Sequence, residues 1–352
     1  MRVCGENQMR AKLTKRGLDW TKIFEGPWKE IFDSILPCML GLSWQDVSAN
    51  PNETLKGIAR LDPQLRVASA FIVDIDGVWF IVTAGHVIED ELLAAEVAGR
   101  KIVKYEIMDN LGRKSMDCSR QPFPFDKTKC MWIQRGSGFD VALHPIPALI
   151  SDNLKRQGAC AVRLGQIANK NDRFHGYIVM GLPRDEHCAS TSDKGSQRSV
   201  SIRMGIVALG MHGVVHPGFK IDRSSRPFLG LPVSLNGQYP DGTKSRLGSL
   251  KGMSGGPIWG IQIRKKGFSL KLVGIQTSCF EPSMVVTGTK FRPIADALHA
   301  TAMKARRDAK ATRSHAPDAS AAGASSSQPN RLGATVKKSG SRRGNKIRAP
   351  KK

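Results

Sequence analysis

No CxxC pair and no spacing typical of zinc ligands occurs in this chain, although it holds seven cysteines. Their odd number and scattered placement exclude a disulfide framework as the organising device and read as reduced thiols of a cytosolic protein. No run of eighteen apolar residues exists, which excludes a transmembrane helix. The opening stretch "MRVCGENQMRAKLTKRG" is polar, and no apolar core followed by a small-residue cleavage site comes after it. A secretory signal is therefore not expected, and the expected location is cytoplasmic. Aromatic residues are few, at 6%, and no internal repeat is visible. No metal and no cofactor is expected from this inventory.

The chain has 352 residues, with an apolar fraction of 40%, enough for one large domain or two smaller ones with ample core. Its formal net charge of +24 is unevenly spread. From Met303 to Lys352 there are fourteen Lys or Arg against two Asp, so half the excess lies in the last seventh of the chain. The charge belongs to a basic tail more than to a uniformly basic fold.

Along the chain, Trp20, Ile23, Phe24, Trp28, Ile31, Phe32 and Ile35 recur at three- and four-residue spacing, as on one helical face. Gly26-Pro27 divides this pattern into two short helices, with Pro27 in the first turn of the second. Such helices either dock on the main domain or lie in a membrane interface, and Asp19, Glu25, Glu30 and Asp33 weaken the second reading. From about Arg66 the texture changes. "VASAFIVDIDGVWFIVTA" contains two apolar strands joined at Asp76-Gly77, a strong hairpin signal. Short β-type runs continue to "KLVGIQTS", and polar stretches near 184–199 and 217–250 read as long surface loops. "PIADALHATAMKARRDA" reads as a helix with Pro293 near its start. Beyond it, "APDASAAGASSSQPN" is low in complexity and "KKSGSRRGNKIRAPKK" is basic. Neither can bury a core, so both are expected to be disordered. The pattern predicts an all-β fold, a barrel or a sandwich: a helical extension over 1–60, a main domain over 61–305, and a basic tail over 306–352.

Chemistry concentrates in three short strings. In "KGMSGGPIWG", Gly252, Gly255 and Gly256 permit backbone angles closed to other residues and let a substrate backbone approach. Such a loop either presents the Ser254 hydroxyl beside inward-pointing N–H groups or is an ordinary Gly-rich turn. His86, in "FIVTAGHVIED", follows directly on the second strand of the hairpin, where a side chain can be held rigidly. The other seven histidines lack that setting, yet a lone histidine is more often structural. Asp140, in "GSGFDVALHPI", heads an apolar strand. It is either a surface turn aspartate or a carboxylate whose burial is offset by an imidazole N–H.

Together, the order His86, Asp140, Ser254, with gaps of 54 and 114 residues, resembles that of the chymotrypsin-like serine proteases. "TAGH", "DVAL" and "GMSGGP" look like that family's histidine, aspartate and serine boxes, and the likeness runs over about residues 60 to 302. The resemblance implies two antiparallel six-stranded β-barrels that divide 61–305 near 150–160, with a C-terminal helix, and a site in the cleft between the barrels. It implies a serine endopeptidase with His86 as general base, Asp140 as its orienting acid and Ser254 as nucleophile. The N–H groups of Gly252 and Ser254 would form the oxyanion hole, and Thr277, Ser278 and Cys279 would line the substrate cleft. Met253 stands where secreted digestive members carry the aspartate that pairs with a freed N-terminus, so no activation of that type is expected. The "GHV"-type histidine box is closer to the non-zymogen branches.

A peptide or protein substrate is the expected partner. Two other readings remain open: a catalytically degenerate protease-fold scaffold, and a nucleic-acid-binding protein acting through the tail lysines and arginines. The family's pocket floor would lie near Gly248-Ser249-Leu250. No acid occurs between Thr243 and Ser254, which disfavours cleavage after Arg or Lys.

Overall fold

The computed structural model describes residues 28–48, 64–89, 100–109, 119–126, 128–133, 139–183, 187–194, 197–204, 207–211, 228–239, 243–264, 267–280 and 285–314. By contacts the chain divides into two units, Met1–Lys304 and Ala305–Lys352. Of the second, only the helical stretch to Ser314 is among the described residues.

Strands dominate the first unit. Helix α1 (Trp28–Ile35) leads through a 3-10 turn (Leu36–Cys38) into β1 (Met39–Ser48), β2 (Gln64–Ile75), β3 (Val78–Thr83), β4 (Arg100–Asp109), β5 (Ser119–Pro122), β6 (Met131–Ile133) and β7 (Val141–Pro145). Helix α2 (Ala148–Arg156) and the two-residue strand β8 (Val162–Arg163) follow. The remaining strands are β9 (Gly176–Gly181), β10 (His187–Lys194), β11 (Gln197–Met204), β12 (Val207–Met211), β13 (Phe228–Gln238), β14 (Lys244–Arg246), β15 (Pro257–Arg264), β16 (Gly267–Phe280) and β17 (Val285–Lys290). Helix α3 (Arg292–Ser314) ends the described chain.

Two large sheets form. The first runs β5-β4-β1-β2-β3-β7-β6, with β8 added parallel to β2. The second runs β12-β9-β15-β16-β17-β13-β14, and a further pairing of β12 with β13 joins six of its strands into a ring. The expected pair of closed six-stranded barrels is thus corrected for the first sheet, whose ends β5 and β6 do not pair among the described residues.

Alternation explains why both sheets are buried on two faces, since successive strand side chains point to opposite sides. On β2, Ala68, Ala70 and Ile72 enter one core while Phe71, Val73 and Ile75 enter another. On β9, Ile178 and Met180 join Phe71 and Val73, whereas Val179 enters a third core within the second sheet. The shared core also takes Trp28, Ile31, Phe32 and Ile35 of α1 and Phe291, Ile294 and Ala295 at the start of α3. The spacing that predicted a helix at Trp28–Ile35 therefore marks one buried face. The earlier helix, over Trp20 to Glu25, lies outside the described residues.

Three expectations change in the chain's first and middle parts. Met39–Ser48 belongs to the stretch expected to be a helical extension, yet it is β1, paired with both β2 and β4. Leu40, Leu42 and Trp44 are its period-two signal, and all three enter the core of the first sheet. The stretch expected as a loop near 184–199 contains β10 and part of β11, which form a separate two-stranded ribbon with His187 opposite Met204. The stretch near 217–250 contains β13, a member of the ring, and β14, which pairs with it. Polar and small residues hid β10, the first two residues of β11, β13 and β14 from a reading based on hydrophobicity.

Candidate active site

The β2–β3 hairpin turns at Asp76-Gly77, where both residues have positive φ, 56° and 87°. Glycine suits this geometry, and the Asp74 carboxylate accepts the Gly77 N–H at 2.8 Å to hold the turn. The turn sets the register Ile75↔Val78 through Phe71↔Val82, and β3 then pairs with β7 as Thr83↔Ala142. Because β3 and β7 are antiparallel, the residues after Thr83 and the residue before Val141 emerge at the same end of the sheet. His86 lies on a helical turn just past β3, and Asp140 immediately precedes β7. Topology alone brings the two together.

Their contact is twofold. The His86 backbone N–H donates to Asp140 Oδ1 at 2.8 Å, and His86 Nδ1 lies 2.8 Å from Asp140 Oδ2. With the carboxylate ionised, Nδ1 carries the proton and donates it, which leaves Nε2 as an acceptor. Asp140 is buried, at 7% exposure, and its own N–H donates to Thr289 Oγ1 of β17 in the other sheet. A carboxylate so placed is stabilised by hydrogen bonds in lieu of water.

The loop at 250–257 supplies the second half. Gly252 and Gly255 have φ of 89° and 90°, values that side chains rarely tolerate. Met253, Gly255 and Gly256 spend their N–H groups on the carbonyls of Leu250, Gln276 and Met253. Among the described residues, the N–H groups of Gly252 and Ser254 take no partner in the chain. Two free donors thus flank Met253 at the position of Ser254. The Ser254 hydroxyl itself donates to the Thr277 carbonyl at 3.5 Å, a weak bond at the limit of the range.

Close packing holds this loop against the histidine strand. A Cβ on Gly255 would lie 2.2 Å from both Ser69 O and Thr83 Oγ1 and 3.0 Å from Ala84 N, two residues before His86. Ser69 of β2 bridges the sheets: its hydroxyl donates to Gly252 O at 2.8 Å and accepts the Leu182 N–H at 2.8 Å. Thr83 Oγ1 in turn donates to Ser69 O at 2.9 Å. Met253, where an aspartate would be expected in digestive members of the resembled family, is fully buried in the third core and anchors the loop from below.

Beyond the loop, Thr277 is buried, Ser278 is exposed and Cys279 is half-buried against the third core. The β16–β17 register shifts between Gln276 and Ser278, so Thr277 sits at a bulge. The pairing of β15 with β16 stops at Pro257↔Ile275, and Gln276 completes it by bonding Gly256. From Ser278 onward, that side of β16 meets no further strand among the described residues.

The polar residues Ser69, Thr83, Thr289 and Gln276 were not singled out from the sequence. Their signal is faint: a hydroxyl or amide within an apolar run, as in "VASAFIV" or "VGIQTS". His144 is a structural histidine. It is buried near Phe123 and Phe125, accepts the Asp126 N–H at Nε2 and donates from Nδ1 to Pro145 O. Burial lowers its pKa below the ordinary value, keeping it neutral. No cluster of three metal-ligating side chains occurs among the described residues.

No family model matches the chain, and no curated protein does. Among solved structures it is similar to a thermostable serine protease, AL20, from an extremophilic microorganism, at 16% identity and a TM-score of 0.38, covering 73% of this chain and 92% of that one. It is also similar to the protease Anisep from Arthrobacter nicotinovorans, at 13% identity and a TM-score of 0.36 over 71% and 89% of the two chains. A catalytically inactive tobacco etch virus protease bound to substrate matches at 10% identity and a TM-score of 0.33 over 74% and 80%.

Proposed function

We propose that the protein is a serine endopeptidase working through Ser254, His86 and Asp140. The observation that carries this reading is the pair of hydrogen bonds from His86 to Asp140. The one at Nδ1 favours the tautomer that leaves Nε2 ready to accept a proton. In the proposed reaction Ser254 Oγ attacks the substrate carbonyl as His86 Nε2 takes its proton. The carbonyl oxygen becomes an oxyanion facing the free N–H groups of Gly252 and Ser254. His86 then passes the proton to the leaving amine as the tetrahedral centre collapses to an acyl-enzyme. Water, deprotonated by the same imidazole, hydrolyses the ester and restores Ser254. Asp140 stays ionised throughout and stabilises the imidazolium. An extended peptide would run beside Thr277, Ser278 and Cys279, where β16 offers an unpaired side.

The reading of the chain as an inactive scaffold draws on one feature, the Ser254 hydroxyl turned to the Thr277 carbonyl. That bond is long, at the limit of the range, so it holds the hydroxyl weakly. A fluorophosphonate probe decides between the two. Labelling and peptide hydrolysis by the wild-type protein, both abolished in a folded Ser254→Ala variant, are the expected result. A probe that leaves the wild-type protein unlabelled, or hydrolysis that survives in Ser254→Ala, removes Ser254 as nucleophile.

A further inference from the structure

Gln276 poses a chemical problem beside this site. It is 1% exposed, yet its amide oxygen Oε1 has no hydrogen-bond partner among the described residues. A buried acceptor without a donor is costly, and native structures keep few of them. Its placement narrows the explanation. The Gln276 backbone accepts from the Gly255 N–H and donates to Gly256 O, both at 2.8 Å, so it is fastened to the Ser254 loop. The next carbonyl, that of Thr277, is the one the Ser254 hydroxyl addresses.

Strand register tells which way its side chain faces. Gln276 stands opposite Gly288, and Ile258 stands opposite both Gly274 and Val179. Directly paired residues share a face, so Gln276 lies on the face that carries Ile258, Val179 and Val286. That face is the third core, to which Leu250 and Met253 of the serine loop also belong. Gly274, two residues before on the same face, contributes no side chain, and across the pair Ile258 Cδ1 packs where a side chain at Gly288 would lie. The carboxamide is therefore buried on the apolar face that also carries Leu250 and Met253 of the nucleophile loop.

We propose that Gln276 is a specificity-determining residue that reads the substrate side chain on the acyl side of the scissile bond, and that this side chain is a neutral amide, Gln or Asn. The proposal rests on the peptidase reading above and adds its substrate class. Oε1 needs an N–H donor, which aliphatic and ionised acidic side chains lack. A primary amide supplies that donor and, through its own carbonyl, accepts from the Gln276 NH2. The two amides thus form a reciprocal pair, which is equally satisfied whichever way the Gln276 amide is turned. A lysine or arginine would bring a charge to a face whose other named residues are apolar, without a carboxylate to meet it.

Matched peptides that differ only at this residue, carrying Gln, Glu or Met, make the test. The wild-type protein should favour the Gln peptide over the Met peptide by about a hundredfold in kcat/KM, since a site built for hydrogen bonds rejects an isostere that lacks them. The Glu peptide should fall with Met. Gln276→Leu, with folding checked by thermal melting, should bring the Gln-to-Met ratio within about threefold; should it unfold, Gln276→Met carries the same test. A wild-type preference for Met or Glu, or a ratio unchanged in the variant, overturns the proposal while leaving the peptidase reading standing. Binding of the same peptides to Ser254→Ala protein tests it without turnover. A preference for the Gln peptide that Gln276→Leu removes supports the amide pair even if hydrolysis fails, and equal binding of all three sinks it.

Discussion

The two halves of the candidate site are held in opposite ways. His86 and Asp140, on the first sheet, are positioned by polar side-chain contacts: two bonds to one carboxylate, and a third from the Asp140 N–H to Thr289. Ser254, on the second sheet, is positioned by the absence of side chains. Gly255 and Gly256 let the loop press against Ser69, Thr83 and Met180 at distances that leave no room for a Cβ. A polar lock can be weakened by degrees, because a neutral isostere keeps the shape and loses the charge. A steric lock cannot. The difference predicts graded damage in one half and collapse in the other.

The largest effect should come from Gly256→Ala. Its new methyl would lie 1.9 Å from Met180 O and 2.9 Å from Met253 O, both backbone atoms that cannot step aside. Overpacking typically costs about 1–3 kcal/mol, and clashes this close to backbone atoms belong at the upper end of that range. The expected outcome is loss of folded protein, or a thermal midpoint lowered by several degrees together with loss of fluorophosphonate labelling. A melting curve that overlays the wild type would show that the loop is loosely packed and that the steric half of the comparison is mistaken.

Asp140→Asn should be next, and its damage should be confined to chemistry. The amide can still accept the His86 backbone N–H, so the fold remains. Its NH2 would favour the tautomer with the proton on Nε2, which can no longer accept from Ser254. A fall in kcat of about 10⁴ is expected on that ground, with KM little changed. If kcat falls by less than tenfold, the twofold contact between His86 and Asp140 is structural.

How far the sequence revealed this arrangement follows the same divide. The hairpin at Asp76-Gly77 was legible because a positive-φ turn demands particular residues. The apolar runs made visible that His86 and Asp140 lie at strand ends. Their juxtaposition was expected only from the resemblance of the three strings, because the pairing of β3 with β7 cannot be read from sequence. Residues 187–198 and β13 were not legible as strands, since Ser, Thr, Gly and Asn there resemble loop composition, whereas the run from Ser199 into the rest of β11 was. β1 was hidden for another reason: it follows α1 with only three residues between, and the two periods blur into one apolar stretch. Ser69 could not have been found at all, because what it joins, Gly252 O and Leu182 N, is more than a hundred residues away. Gln276 was read merely as part of a strand. Its orphaned oxygen appears only when its neighbours are in place.

A smaller effect, on stability, separates the first sheet's candidate base, His86, from its structural histidine. His144 is buried and neutral, with its folded pKa lowered chiefly by desolvation. The unfolded chain therefore binds the proton more readily, and stability is fully present above the ordinary histidine value of about 6.5. It is lost as pH falls from there toward the lowered folded value. Thermal melts at pH 7.5 and 5 should show the decline, and His144→Phe, which has no proton to gain, should show less of it. An equal decline in both proteins would assign the acid sensitivity to other groups.

The smallest expected effect, none on chemistry, concerns residues 315–352, which lie outside the described residues. Both halves of the site, with every contact named for them, fall between Ser69 and Thr289. The sequence beyond Ser314 is rich in Ser, Ala, Gly, Lys and Arg and carries few large apolar side chains. Ordering such a chain costs roughly 1–2 kcal/mol of backbone entropy per residue with little burial to offset it. Its positive charge suits an electrostatic partner, for which nucleic acid is the natural probe. Deletion of 315–352 should therefore leave kcat/KM for a small uncharged peptide within about twofold of the full chain. It should also remove any salt-sensitive retention on a DNA or RNA column, whose dependence on log salt scales with the phosphates contacted. If turnover of the small peptide drops instead, the tail takes part in the site, and the division between a polar lock and a steric one omits a third support. Retention that survives the deletion would place the anion-binding surface on the main unit and leave the tail's charge without a role in it.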